Sequence, residues 1–268
     1  TYTWPDGTRF IGDFRRNTIT GNGKYVWSDG SYYVGTVLNG LRHGYGVMNY
    51  QNGSCYVGSF CNGLRHGFGT YTSSSGYIYA GDWLSGKQTG ECHIFYKNGD
   101  SYKGAFLDGL RHGEGQLFEK VTDRIFGGNW DHGKLSGDVT VSCDAWQFKG
   151  KFPDSDGKTT GELVYKDGSN YKGQLVNFKR RGLGLYVSKL GDKIEGNWLN
   201  ELNVKRAIKM DSEGIYWKGN LKNLEPEGFM NVKLPNGHEY DGLWEDGSLL
   251  RVLSVQNQTK QTSAYHFH

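Results

Sequence analysis

Glycine returns at a fixed spacing along this chain of 268 residues, and that regularity limits the fold more than any other feature. Positions 12, 35, 58, 81, 104, 128, 150, 173, 196, 219 and 242 are all glycine, in eight steps of 23 residues, one of 24 and one of 22. A period of this size marks an array of small repeated units. Two residues before each glycine stands an aromatic side chain, from Phe10, Tyr33 and Tyr56 to Tyr240, with Ile194 the exception. Two residues after it stands an apolar one, such as Val37, Phe60, Trp83 and Trp130. Aromatic, glycine and apolar residues at i, i+2 and i+4 share one face of a strand.

A second strand follows in each unit. Its marks are the G-x-G pairs Gly44/Gly46, Gly67/Gly69 and Gly113/Gly115, entered through N-G-L-R-H or D-G-L-R-H. It leaves through polar residues ending in pairs such as Asp29-Gly30, Asn52-Gly53 and Asn98-Gly99, which supply the positive φ of hairpin turns. Glycine weakens a strand interior unless something covers the bare backbone, and an aromatic ring from the neighbouring strand can do so. The sequence therefore predicts an all-β fold: an elongated, single-layer, twisted antiparallel meander of β-hairpin repeats. About eleven units fill residues 1–247. Residues 248–268, "SLLRVLSVQNQTKQTSAYHFH", leave the period. They are expected to form a capping segment, as a last strand or a short amphipathic helix, with a flexible tail from about Gln256.

Composition agrees with strands and turns: 42 glycines, 15% aromatic residues and only 4 prolines. A net charge of +3, from 31 basic and 28 acidic residues, creates no field that predicts nucleic acid as a partner. Cys55, Cys61, Cys92 and Cys143 contain no C-x-x-C pair, and read as reduced thiols of an intracellular protein. No apolar run reaches about 18 residues. The opening "TYTWPDG" reads as the tail of a unit, so the chain is expected to be an excerpt of a longer one.

The segment "YKGAFLDGLRHGEGQLF", Tyr102 to Phe118, resembles the MORN repeat, whose unit runs roughly Y-x-G-x-W-x-x-G-x-x-H-G-x-G before an N-G or D-G turn. Tyr102, Gly104, Phe106, His112, Gly113 and Gly115 are the structural repeat positions this resemblance singles out. Thr89, Ser136 and Thr160 replace the histidine in other units, and "NVKRAIKM" after Gly196 lacks the G-x-G. The resemblance implies an interaction scaffold, closest in character to ciliary radial-spoke-head and cytoskeletal MORN proteins. It implies axonemal or cytoskeletal protein partners, self-association as a further option, and residence in the cilium, axoneme or cytoskeleton. Two alternatives stay open: a membrane-tethering phosphoinositide-binding adaptor, or the regulatory MORN region of a larger enzyme.

His43, His66 and His112 occupy one repeat position. Copies two strands apart lie roughly 9.6 Å from each other, whereas two nitrogens on one zinc are within about 4 Å, so repeat-equivalent histidines cannot share a metal. Nor does any of them bring a fixed carboxylate or nucleophile, as a triad requires. They are expected to close the inter-strand turn by hydrogen bonds to nearby backbone, with no catalytic, cofactor-binding or metal-binding residue in the chain and no enzymatic activity. The G-x-G pairs lack the third glycine and the helix of a phosphate cradle.

Two sets of residues remain as candidate contacts. Tyr45 and Phe68, one repeat apart, either join the ring stack or face outward to seat a partner segment. Arg42, Arg65 and Arg111 share another repeat position and are expected to form a ladder along one edge, a candidate partner-binding set. In the run "NFKRRG", Lys179, Arg180 and Arg181 are the candidate contact for anionic lipid, against the plainer reading of a solvated turn.

Overall fold

The structure, a computed structural model, describes residues 1–256. Among these residues there are twenty-three strands and no helix, in two units that divide after Val141. The first unit, Thr1–Val141, contains β1 (Tyr2–Thr3), β2 (Arg9–Arg15), β3 (Thr18–Val26), β4 (Tyr32–Leu38), β5 (Leu41–Asn49), β6 (Cys55–Cys61), β7 (Leu64–Thr72), β8 (Ile78–Leu84), β9 (Lys87–Phe95), β10 (Ser101–Leu107), β11 (Leu110–Glu119), β12 (Arg124–Asp131) and β13 (Lys134–Ser142), which ends at the boundary. From β1 to β12 each strand pairs antiparallel with the next in the chain. The second unit holds β14 (Trp146–Lys151), β15 (Lys158–Tyr165), β16 (Asn170–Val176), β17 (Lys179–Val187), β18 (Lys193–Trp198), β19 (Val204–Met210), β20 (Tyr216–Lys222), β21 (Glu225–Lys233), β22 (Glu239–Glu245) and β23 (Ser248–Gln256). It repeats the consecutive antiparallel pairing from β14 to β23. The expected all-β antiparallel meander is what forms.

Register explains the glycines. In the first unit Gly12 faces Gly23, Gly23 faces Gly35, Gly35 faces Gly46, Gly46 faces Gly58, Gly58 faces Gly69 and Gly69 faces Gly81, a row of glycines crossing seven strands. Each aromatic ring lies over this row. A Cβ at Gly46 would come within 2.4 Å of the Tyr33 ring, and one at Gly69 within 2.2 Å of the Tyr56 hydroxyl. Phe10, Tyr33, Tyr56, Tyr79 and Tyr102 are fully buried, packed within the unit against the rings of neighbouring repeats. Tyr33 meets Phe60, Tyr56 meets Trp83 and Tyr102 meets Trp130 edge to face at 5.2, 5.3 and 5.6 Å, each pair joining one repeat to the next. Such pairs add about 0.5–1.5 kcal/mol beyond the area they bury. The second unit repeats the device with Phe148 over Gly161 and Tyr171 over Gly184.

A bulge interrupts the hairpins β2–β3, β4–β5, β6–β7, β8–β9, β10–β11 and β16–β17. Between the pairs Gly35–Gly46 and Val37–Arg42, Thr36 stands opposite the three residues His43, Gly44 and Tyr45. The extra backbone needs a left-handed residue, and Gly44 supplies it at φ 60°. Tyr33 Oη secures the kink by donating to the Thr36 carbonyl at 2.7 Å. Tyr56, Tyr79, Tyr102 and Tyr171 make the equivalent bond.

Two turn types alternate. Leu38 and Leu41 flank the two-residue turn Asn39-Gly40, both with positive φ, the geometry whose twist suits a hairpin. The pairs at Asp29-Gly30 and Asn52-Gly53 belong instead to longer turns in which the Asp or Asn side chain accepts from the amide two residues on. Departures from the repeat are absorbed locally. Cys92 takes a glycine's place between Gly81 and Gly104, buried, its thiol donating to the Gly104 carbonyl at 3.3 Å. Ala207 does the same opposite Gly219, and Arg206 beside it adopts φ 51° where the register shifts. Of the expected capping segment, Ser248–Gln256 is a strand, β23, paired with β22 and exposed at every residue. Residues 257–268 of the expected tail lie outside the described residues.

Candidate functional site

The face opposite the rings carries the first unit's chemistry. Tyr45 is 64% exposed and Phe68 65%, so both point outward. They stand on either side of Ser59 on β6, in a row set by the Tyr45–Ser59 pair and the β6–β7 bulge. A parallel row of Val34, Val47 and Val57 lies beside them. Continuing across β8, β9 and β11, the positions equivalent to these aromatics and serines become Asp82, Glu91 and Glu114. The result is an apolar strip that gives way to carboxylates on one side.

Arg42, Arg65 and Arg111 lie elsewhere. Their guanidinium groups lie over the rings of the following repeat: Arg42 at 5.4 Å from Phe60, Arg65 at 4.1 Å from Trp83, Arg111 at 4.3 Å from Trp130. Arg42 also donates to the Gly63 carbonyl at 2.7 Å, and Arg65 to that of Gly86 at 3.5 Å. They do form a ladder, but one that clamps neighbouring repeats together and covers their aromatic core.

Arg180 belongs to the same series, seven residues after Gly173 as Arg42 follows Gly35. It is only 8% exposed. Its guanidinium lies 4.6 Å from the Trp198 ring, pairs with the Glu201 carboxylate at 3.0 Å and donates to the Glu201 carbonyl at 2.6 Å. The run expected to face lipid is therefore split: Lys179 and Arg181 are exposed, while Arg180 is turned into the core. Its place in the 23-residue register was the signal that would have revealed this.

His43 and His112 sit at bulges, and the Nδ1 atom of each is buried without a hydrogen-bond partner, so that atom does not close the turn. The turns are closed by backbone, Gly63 N–H donating to the Arg42 carbonyl and Gly86 N–H to that of Arg65, each at 2.8 Å. Tyr102 covers Gly115, Gly104 faces Gly115, Phe106 packs on Tyr102, and Gly113 is the bulge glycine at φ 68°.

Burial pushes the Tyr33 and Tyr56 phenols up to about 12 from the ordinary 10.0, and those of Tyr79 and Tyr102 higher still. The Cys92 thiol is pushed up to about 12, chiefly by burial, which keeps it protonated and unreactive at neutral pH. Asp29 is held below the usual carboxylate range by hydrogen bonds from the Ser31 hydroxyl and amide. These shifts accompany packing and turn geometry.

A bulged two-strand unit, with a ring lying on a glycine pair and an arginine clamp to the next unit, defines a class of β-hairpin repeat protein. The model of the MORN repeat matches residues 1–9, 10–32, 33–55, 56–76, 79–101 and 102–118, so this part of the first unit is built of MORN repeats. No match is found among curated proteins. Among solved structures, the TCP10c domain of Drosophila melanogaster Sas-4 is similar at 14% identity over 66% of this chain and 86% of that one, with a TM-score of 0.24. The G-box domain of the microcephaly protein CPAP is similar at 13% identity over 94% of this chain and 100% of that one, TM-score 0.22. The Drosophila SAS-4 TCP domain, in complex with a proline-rich motif of Ana2, is similar at 12% identity over 70% and 84%, TM-score 0.20.

Proposed function

We propose that this chain is a non-enzymatic scaffold that holds partner proteins, and that the outward face of its first unit seats one of them. The observation that carries this reading is the pair Tyr45 and Phe68, large aromatic side chains held in solvent on a rigid sheet. Aromatic anchors of this kind dominate the energetics of protein interfaces. Most other rings of the unit are consumed by packing, and these two are the most exposed aromatic side chains in it. With Asp82, Glu91 and Glu114 alongside, the strip suits an extended partner segment that combines apolar anchors with lysine or arginine. The MORN repeats of the first unit support an axonemal, radial-spoke-type or cytoskeletal assembly as the setting.

The test is a quantitative pull-down from ciliated cells with the wild-type chain and the Tyr45→Asp/Phe68→Asp variant. Both positions are exposed, so the variant keeps its melting temperature, while specific axonemal or cytoskeletal subunits are retained ~30-fold less, the loss of one hot spot of about 2 kcal/mol. Equal recovery of every partner would refute the assignment of the face. A membrane-tethering adaptor is the second reading, and the exposed Lys179 and Arg181 are the observation in its favour. Sedimentation with phosphoinositide vesicles at physiological salt, abolished by Lys179→Glu/Arg181→Glu, would put that reading first.

A further inference from the structure

At the turn after β12 the repeat departs from the pattern of the four hairpins before it. The first hairpin turns through Arg16-Asn17, and the two-residue turns of the next four begin with Asn39, Asn62, Ser85 and Asp108, short polar side chains that tolerate positive φ. The next turn begins with His132, at φ 46°. Before those turns stand Leu38, Cys61, Leu84 and Leu107; before this one stands Asp131. Asp131 lies one step beyond the Gly113–Trp130 pair, which places it across from His112, the repeat histidine of the preceding unit. Turn closure by Gly133 N–H on the Arg111 carbonyl, at 2.9 Å, brings His132 to the same spot.

We infer that His112, Asp131 and His132 form a binding site for a divalent transition-metal ion of the zinc type. One ring nitrogen from each histidine and a carboxylate oxygen of Asp131 lie within 4.8 Å of one another. Asp131 Oδ1 is 2.6 Å from His132 Nδ1 and 3.7 Å from His112 Nδ1. Ligand atoms around a tetrahedral zinc stand roughly 3.3 Å apart, given bonds of about 2.0–2.1 Å. His132 Nδ1 is hydrogen-bonded to Asp131 Oδ1 and its side chain is 74% exposed, so a zinc ion would take the place of that hydrogen bond as the ring turns outward. The second observation is the buried His112 Nδ1, which has no hydrogen-bond partner. A buried nitrogen lone pair or N–H left unused is costly, and a metal ion uses it. Two imidazoles and a carboxylate are a borderline donor set that suits zinc, and three protein ligands leave a fourth position for water or for a donor from a partner. The distance that bars His43, His66 and His112 from sharing an ion does not apply, because His132 is a turn residue beside His112.

Calorimetric titration of the full chain with Zn2+ at pH 7.4 tests the site, with Co2+ added separately to read the visible bands of a tetrahedral centre. The expected result is one ion per chain. His132→Asn is the decisive variant, since it restores the residue type that the other turns use while removing a ligand. It should keep or raise the melting temperature of the metal-free chain and weaken Zn2+ binding at least 10-fold, as should Asp131→Asn. His66→Ala, at a repeat position without the cluster, should leave the binding unchanged. Failure to bind Zn2+ at millimolar concentration, or equal binding by the wild type and the His132→Asn variant, would overturn the assignment.

Discussion

Replacing Gly69 with alanine inserts a methyl group where the Tyr56 ring already lies. The three atoms nearest the new Cβ all belong to Tyr56: Oη at 2.2 Å, Cζ at 2.4 Å and Cε2 at 2.6 Å. Ordinary contact would begin near 3.4 Å, so the ring must retreat by about 1 Å. It has little room to do so. Tyr56 is fully buried, its hydroxyl donates to the Ser59 carbonyl at 2.9 Å, and its edges meet Phe60 at 5.0 Å and Trp83 at 5.3 Å. Overpacking of this kind costs about 1–3 kcal/mol, and loss of the hydroxyl bond adds about 1 kcal/mol. Gly69→Ala should therefore destabilise by ~2–4 kcal/mol, or ~5–15 °C in melting temperature at 2–4 °C per kcal/mol.

Tyr56→Ala removes the obstacle and costs ~3–5 kcal/mol on its own. In that background Gly69→Ala should be neutral or gain ~0.5 kcal/mol, because alanine orders more cheaply than glycine in a strand. The cycle should then yield a coupling of at least ~2 kcal/mol. Calorimetry, with hydrogen exchange of the β6 and β7 amides as a local readout, measures all four corners. If Gly69→Ala costs under ~1 kcal/mol, or keeps its full cost beside Tyr56→Ala, the glycine row is not there to make room for rings.

Arg65→Lys keeps the charge but loses the planar stack 4.1 Å from Trp83, and should cost ~0.5–2 kcal/mol by denaturant melts. Arg180→Ala strands Glu201 at a partly buried pair and should cost more, ~2–4 kcal/mol in the same melts. Tyr33 and Tyr56, held neutral by burial, contribute stability that is complete below pH 10 and is lost as pH rises toward 12, since only the unfolded chain ionises in that window. Absorbance at ~295 nm should show phenols that ionise late, together with unfolding; a single phenol titration at the ordinary value in the folded chain would contradict their burial.

Most of the fold could be read from the repeat itself. A ring, a glycine and an apolar residue at alternate positions define one face of one strand, and their fixed phase sets the register of all the others. That is why Tyr102, Gly104 and Gly115 lie where the pattern puts them. The bulge was less legible, because G-x-G states that two glycines are needed without saying that Gly44 is left-handed and Gly46 lies under a ring. The outward pair Tyr45 and Phe68 remained a choice between two faces, since one residue of bulge decides which way they point. Arg180 was read with its neighbours Lys179 and Arg181 as a charge run, whereas its phase relative to Gly173 marks it as a clamp. Adjacency in sequence alternates sides of a strand; position in the period does not. The His112–Asp131–His132 cluster was hidden for a different reason. It joins a repeat position to two departures from the repeat, and only the cross-strand register brings them together.

Each strand pairing described within either unit links a segment to the one immediately before or after it, so these bonds need not wait for a distant part of the polypeptide. Chains built this way have low contact order and close small loops first, which favours rapid folding. Synthesis can therefore lay down one hairpin at a time, each finding its template already in place. Pulling on an end should reverse the order, peeling successive hairpins in steps of similar force rather than breaking the whole unit at once.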